Sequence, residues 1–295
     1  MRRLQLLVLA AFACALAMVP TAHAALLKTK AIAQNKTAVQ SYWTAKRMRN
    51  AIPADKFLSG KSAAPVKPRR KSGVATEFAP PYTSYPTSTN GKVFFTEGSS
   101  NYVCSGTALL SGNKSVVWTA GHCVNDGANH FHTNWAFVPG YADGSRPYGT
   151  WTARTLLTTQ GWATSSDFSY DNGAAVVNLN GGRALTDVVG GRNIAFNYAR
   201  DQTYAANGYP AAPPFNGERL YACTSPLRYN DTSGDPATMG ISCNMTGGSS
   251  GGGWIVNDAL VSVNSYGYQL LPNVMFGPYQ GSVSQSLYTQ ASSTP

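Results

Sequence analysis

Apolar residues in most of this chain come in short runs cut by turn-forming residues. Lys92–Thr96, Asn101–Leu109, Ser115–Ala120, Trp151–Leu157, Gly173–Leu179, Arg219–Cys223, Gly252–Val256 and Ala259–Ser265 are such runs, generally separated by Gly, Asn, Asp, Ser or Pro. Short apolar stretches between turn signals read as β-strands, and a long succession of them predicts an all-β sandwich or barrel. The period changes near the end, where Val283, Leu287 and Tyr288 fall at helical spacing and predict a helix within Gly281–Ala291. A second short amphipathic helix is predicted around Val39, Tyr42, Trp43 and Met48. The run Leu6 to Val19 is 14 apolar residues, too short to span a bilayer comfortably. Arg2 and Arg3 precede it and Ala22-His23-Ala24 follows it, the pattern of a secretory signal peptide over 1–24 cleaved after Ala24. No later segment is long and apolar enough to cross a membrane as a helix, so the mature chain is expected to be secreted (extracellular or periplasmic) with no membrane partner.

Charge divides the chain. The net charge is +10 over 295 residues, yet residues 25–72 hold 12 Lys/Arg against the single acid Asp55, while residues 73–295 hold nine Lys/Arg and 12 Asp/Glu. The surplus of positive charge therefore belongs to the N-terminal segment, and a nucleic-acid partner inferred from the overall charge is not expected for the remainder. Pro68-Arg69-Arg70-Lys71 is a basic stretch suited to proteolysis. Residues 25–71 are read as a basic propeptide whose short helix could dock on the rest and hold it inactive; a solvated tail is the alternative.

The chemistry concentrates at two places. Gly248-Ser249-Ser250-Gly251-Gly252 sets a serine between glycines, and a nucleophilic serine needs an exposed Oγ beside backbone N–H groups aimed at the oxyanion it creates. Thr119-Ala120-Gly121-His122-Cys123 supplies a histidine far upstream. All four histidines, His23, His122, His130 and His132, precede Ser250, which excludes the Ser…Asp…His order of α/β-hydrolases and with it an esterase or lipase of that kind. A subtilisin order needs an aspartate before His122, and only Asp55 qualifies, inside the expected propeptide. The order His, Asp, Ser remains. Asp171, opening the apolar stretch Gly173–Leu179, is the chosen third member, and Asp167 is its competitor.

Ser105-Gly106-Thr107-Ala108-Leu109-Leu110, Val116-Val117-Trp118-Thr119-Ala120-Gly121-His122-Cys123 and Gly248-Ser249-Ser250-Gly251-Gly252 together resemble the chymotrypsin-like (trypsin-like) serine proteases, in particular the bacterial secreted branch that includes the glutamyl endopeptidases. The resemblance spans roughly residues 90 to 290. It implies two packed antiparallel β-barrels, about 88–190 and 191–280, within a protease domain over 72–295 that ends in a helix over about 281–291. It implies a serine endopeptidase acting on polypeptides through His122, Asp171 and Ser250, with the N–H groups of Gly248 and Ser250 as oxyanion hole. Ser265, Tyr266 and Gly267 would pair with substrate backbone, with Asn264 beside them. Gly277 and Asn244 would line the primary specificity pocket.

The resemblance also implies a Cys104–Cys123 disulfide, which leaves Cys223 with Cys243; Cys14 departs with the signal peptide. No cofactor is expected, and a zinc site built on His122, His130 and His132 with cysteines is the weaker reading of the same residues. Ser249 replaces the aspartate that precedes the nucleophile in trypsin-type zymogens, so an ion pair there with a new N-terminus cannot form. No carboxylate is evident at the pocket base, and Asn264 falls where glutamyl endopeptidases carry a histidine. The alternative function is a catalytically silent binding protein of the same fold.

Overall fold

The structure is a computed structural model that describes residues 26–57 and 73–295. The expected signal peptide over 1–24 and the basic stretch Pro68–Lys71 lie outside the described residues.

Residues 26–57 pack on the body of the protein. Strand β1 (Leu27–Ala31) is followed by two helices, α1 (Lys36–Tyr42) and α2 (Ala45–Arg49), then by β2 (Ile52–Pro53) and a 3₁₀ turn over Ala54–Phe57. One helix was expected and two form. Asn35 caps α1 by accepting from the Ala38 N–H, and Thr44 starts α2 by accepting from the Arg47 N–H. A Thr side chain that bonds its own downstream backbone favours a cap over a helix interior, so the chain turns at Trp43 and Thr44. The turn aims Val39, Trp43 and Met48 into one cluster with Phe94, Val103, Tyr141 and Tyr209. That packing removes the solvated-tail reading for the described part of this segment.

After the short β3 (Thr76–Glu77), the first half of the body is a closed barrel of six antiparallel strands. They are β4 (Asn90–Glu97), β5 (Ser100–Leu109), β6 (Val116–Thr119), β7 (Thr133–Pro139), β8 (Trp151–Thr159) and β9 (Gly173–Val177), with β8–β9 pairing closing the ring. The N-terminal segment extends this sheet from outside: β1 adds antiparallel to β8, and β2 pairs parallel with β5 through Ile52–Tyr102 and Pro53–Val103. Helix α3 (Gln160–Ser165) follows β8, and α4 (Leu185–Val189) leads out of the barrel to β10 (Asn193–Ile194).

The second half is a sheet rather than a ring closed by pairing. It contains β11 (Thr203–Gly208), β12 (Tyr221–Asp231), β13 (Thr238–Ser242), β14 (Gly253–Val256), β15 (Ala259–Val263), β16 (Tyr266–Tyr268) and β17 (Leu271–Gly277). Their order is β10-β15-β14-β11-β12-β13-β17-β16, with β3 paired to β12. The closing helix α5 (Ser282–Ser293) buries Leu287 and Ala291 in the core of the first barrel. Its Ser284 hydroxyl accepts from the Asn172 side-chain amide at 3.2 Å, tying the helix to the residue after Asp171.

Candidate active site

His122 lies in a 3₁₀ turn, Gly121–Cys123, at the end of β6. The turn threads a narrow gap. A β-carbon on Gly121 would meet Trp162 Cγ at 2.7 Å and Asp171 Oδ1 at 2.9 Å, so glycine is required for close approach at this position. Asp171 ends the 3₁₀ turn after α3, fully buried. One of its oxygens accepts the His122 backbone N–H at 2.8 Å, and the other faces His122 Nδ1 at 2.8 Å and accepts the Ser265 hydroxyl at 2.5 Å. A carboxylate accepts, so Nδ1 carries the proton and Nε2 is left with the lone pair. Nε2 is buried, and no side chain or backbone group among the described residues bonds to it. Asp167 instead caps its own turn by accepting the Ser169 N–H at 2.9 Å.

Ser250 lies on a glycine loop pressed between the two halves. Gly248 and Gly251 have φ of +93° and +80°, the left-handed region that favours glycine. A β-carbon on Gly251 would meet Ser105 O at 2.5 Å, and one on Gly252 would meet Asn207 O at 1.9 Å. Backbone therefore packs directly on backbone, and the loop's polar groups find fixed partners. The Ser105 N–H donates to Ser250 O at 2.7 Å, and the Ser105 hydroxyl donates to Gly248 O at 2.9 Å. Cys123 Sγ lies 3.7 Å from Ser250 O, which brings the residue after His122 against the serine. Ser250 itself is 5% exposed and His122 wholly buried.

The remaining residues singled out from the sequence fall in several roles. The Ser265 side chain is directed to Asp171, while Tyr266 and Gly267 lie in β16, at the end of the second sheet. Tyr266 stacks on Phe276 and donates to Asp231 at 2.6 Å, as does Tyr268 at 2.5 Å. Burial pushes the Asp231 carboxyl up, but these hydroxyls and the Ser233 amide outweigh it and hold the group well below the usual carboxylate range.

Three expectations change. The Asn264 amide, expected beside the substrate-pairing residues, is instead taken up in bracing the serine loop, donating to Asn207 O and Ser249 O and accepting from the Trp254 indole. Gly277, expected to leave space for a substrate side chain, is closed on its Cβ side by Val263 O and Ser262 Oγ. Asn244 is tied to Gly73 O and to the Ala75 N–H, at 2.9 and 2.6 Å, so it anchors residues 73–75.

Both disulfides, Cys104–Cys123 and Cys223–Cys243, are formed. Cys104, His122 and Cys123 lie close enough to hold a metal, but sulfurs joined in a disulfide are not thiolate ligands. His130 pairs with Asp126 on the surface and the buried His132 with Glu97, so the two rings do not converge on one ion. Sequence reasoning missed the bracing roles of Ser105 and Asn264, and the contacts of His132 and Trp162 with the histidine turn. Only Ser105 carried a signal, as part of the motif Ser105-Gly106-Thr107.

A closed six-stranded barrel joined to a second sheet, with a buried His–Asp pair and a glycine-framed serine between them, is the architecture of a serine peptidase hydrolase; the chain belongs to the chymotrypsin-fold serine proteases. Two solved structures carry the assignment. The protease Anisep from Arthrobacter nicotinovorans is 47% identical with a TM-score of 0.68, over 72% of this chain and 99% of that one. The thermostable serine protease AL20 from an extremophilic microorganism is 46% identical with a TM-score of 0.68, over 71% and 99%. A Glu endopeptidase structure, at 19% identity and a TM-score of 0.62 over 76% and 99%, shares the fold. Among curated proteins, an extracellular metalloprotease of Bacillus subtilis (strain 168) is 29% identical over 134 residues, 45% of this chain. The chain spans about two-fifths, 41%, of that relative's length. No protein-family model matches the chain.

Proposed function

We propose that this chain is a secreted serine endopeptidase, made with a signal peptide over 1–24 and a propeptide over 25–71, and that 72–295 is the protease domain. Ser250 Oγ attacks the scissile carbonyl while His122 Nε2 takes its proton and passes it to the leaving amine. Asp171 orients the imidazole and stabilises the imidazolium. The N–H groups of Gly248 and Ser250 receive the oxyanion; such a donor typically contributes about 10²–10³-fold in rate. Water then hydrolyses the acyl-enzyme with His122 as base. The observation that carries this reading is the double hold of Asp171 on His122, at the backbone N–H and at Nδ1, which makes Nε2 the basic nitrogen. The end position of β16 supports a substrate strand adding beside Ser265, Tyr266 and Gly267.

The propeptide is the enzyme's own inhibitor in this reading. Its strands and helices cover the barrel, Ala54 is buried, and Asp55 reaches the serine loop: a β-carbon on Gly247 would meet Asp55 Oδ1 at 1.9 Å. Gly247 adjoins Gly248, and this nearness supports a segment that covers the approach to the oxyanion hole. Fluorophosphonate labelling with peptide mapping, on wild type and Ser250→Ala, tests the proposal before and after cleavage within 58–72. Label on Ser250 that rises on cleavage, with casein hydrolysis lost in the variant, is expected. A folded, processed protein that takes no label is instead a catalytically silent binding protein.

A further inference from the structure

The turn that carries His122 leaves carbonyl groups with no partner inside the turn, as short helical turns do. Three ring N–H groups receive them. The Trp135 indole donates to Cys123 O at 2.9 Å, the Trp162 indole donates to Asn125 O at 2.9 Å, and His132 Nε2 faces His122 O at 3.0 Å. The last contact concerns the same residue whose N–H is held by Asp171. His132 Nδ1 lies 2.8 Å from Glu97 Oε2 at the end of β4, and the ring stacks on Phe95 with centroids 4.1 Å apart. His132 is buried, whereas the Glu97 side chain is about one-third exposed.

The chemistry of these contacts is directional. A carbonyl oxygen only accepts, so His132 Nε2 must carry a proton. The other ring nitrogen, Nδ1, faces Glu97, whose carboxylate holds the ring from its far side. A ring fixed by stacking, by burial and by Glu97 is a rigid donor, and its acceptor is the carbonyl of His122.

We propose that His132, oriented by Glu97, is a positioning residue for catalysis. Its Nε2–H fixes the carbonyl end of His122 as Asp171 fixes the amide end, so that the His122 ring keeps its place against Asp171. This rests on the reading of His122 as general base. A displacement of about an ångström at a reacting group costs on the order of 10²-fold in rate, so the pair acts on turnover and leaves substrate affinity unchanged.

Two substitutions of opposite geometry separate positioning from packing. In His132→Gln the amide reaches the place of Nε2 and can still donate to His122 O. In His132→Asn it reaches only the place of Nδ1. On the full chain carried through its own processing, His132→Asn should lower kcat and the Ser250 acylation rate about tenfold or more with KM unchanged, the loss expected from one missing buried hydrogen bond and a freed turn. His132→Gln should recover most of that loss. Glu97→Gln, at a site about one-third exposed, should lower kcat several-fold and shift the His132 ring N–H resonances in the NMR spectrum. Wild-type turnover in a folded His132→Asn protein would overturn the proposal. So would equal losses in the Asn and Gln variants accompanied by a lower melting temperature, the signature of packing alone. If neither His132 variant folds, full kcat in Glu97→Gln overturns it. Absence of Ser250 labelling in the wild type would remove the enzyme reading beneath it, which is a different result from a labelled wild type indifferent to His132.

Discussion

Trp43→Ala is the sharpest test of the proposed inhibitory propeptide, because Trp43 is the largest side chain this segment buries and touches no proposed catalytic group. The indole is 1% exposed, lies 5.3 Å from the Phe94 ring and donates through Nε1 to Asn134 O at 2.6 Å. A buried aromatic ring removes about 150–250 Å² from water, or about 4–6 kcal/mol at ~25 cal/mol/Å², and buried Trp→Ala changes cost about 3–5 kcal/mol. At about 1.4 kcal/mol per factor of ten, the docked segment should be weakened roughly 10²- to 4 × 10³-fold relative to the undocked one. The assay is the rate of fluorophosphonate labelling of Ser250 in the uncleaved chain, with cleavage within 58–72 monitored by mass. The variant should label faster than wild type by up to that factor, limited by the rate of the fully processed enzyme. Once both are processed, they should be equal. An uncleaved Trp43→Ala chain that labels no faster than uncleaved wild type, while its propeptide is shown by proteolysis to be undocked, would refute the claim that docking occludes the serine.

Gly121→Ala should lower kcat about 10²-fold or more with both disulfides intact, since the added carbon cannot coexist with Trp162 and Asp171 where they stand; steady-state kinetics checked against a disulfide map decide it. Lys92 gives a stability prediction. Burial pushes its ammonium down from 10.5 to about 8, against the pull of Glu218 at 3.6 Å. The folded state therefore binds fewer protons than the unfolded chain between these values, so stability rises as pH climbs from about 8 to about 10.5, by up to about 3 kcal/mol at 1.36 kcal/mol per unit. Lys92→Met should lack that rise, as read from urea midpoints at the two ends of the window; parallel profiles would refute it.

Much of the fold could be read from the run pattern, and the exceptions have physical causes. The strands β4, β5, β6, β8, β9, β14 and β15 form where apolar runs lie between turn residues, because each buries nearly every side chain. The strand β12 extends to Asp231, well past the apolar stretch ending at Cys223, since its outer half is largely exposed and carries polar residues. The strand β11, Thr-Tyr-Ala-Ala-Asn-Gly, has only the short apolar run Tyr204–Ala206; its Asn207 and Gly208 are buried against the serine loop, where backbone contact matters more than side-chain hydrophobicity. Alternation in a strand reports burial of side chains, and it goes silent where the backbone itself is the packing surface.

The site divides in the same way. His122, Asp171 and Ser250 stand out because the chemistry admits few residue types, and the glycines around them because left-handed φ and close backbone approach do. The groups that hold them leave a weaker mark: Ser105 falls in a motif, and Ser265 and Asn264 in the stretch expected to meet substrate, but the partners each one bonds could not be read from that. Ser105 bonds Gly248 across 143 positions, Ser265 bonds Asp171 across 94, and Asn264 reaches Asn207 across 57. Each is an ordinary polar residue whose task is to satisfy a buried donor or acceptor in an irregular turn. Such turns cannot satisfy their own backbone, so an active site built on two of them must recruit partners from wherever the fold brings a polar side chain near. The identity of those partners follows from the three-dimensional arrangement, while the need for them follows from the glycine-rich sequence of the turns.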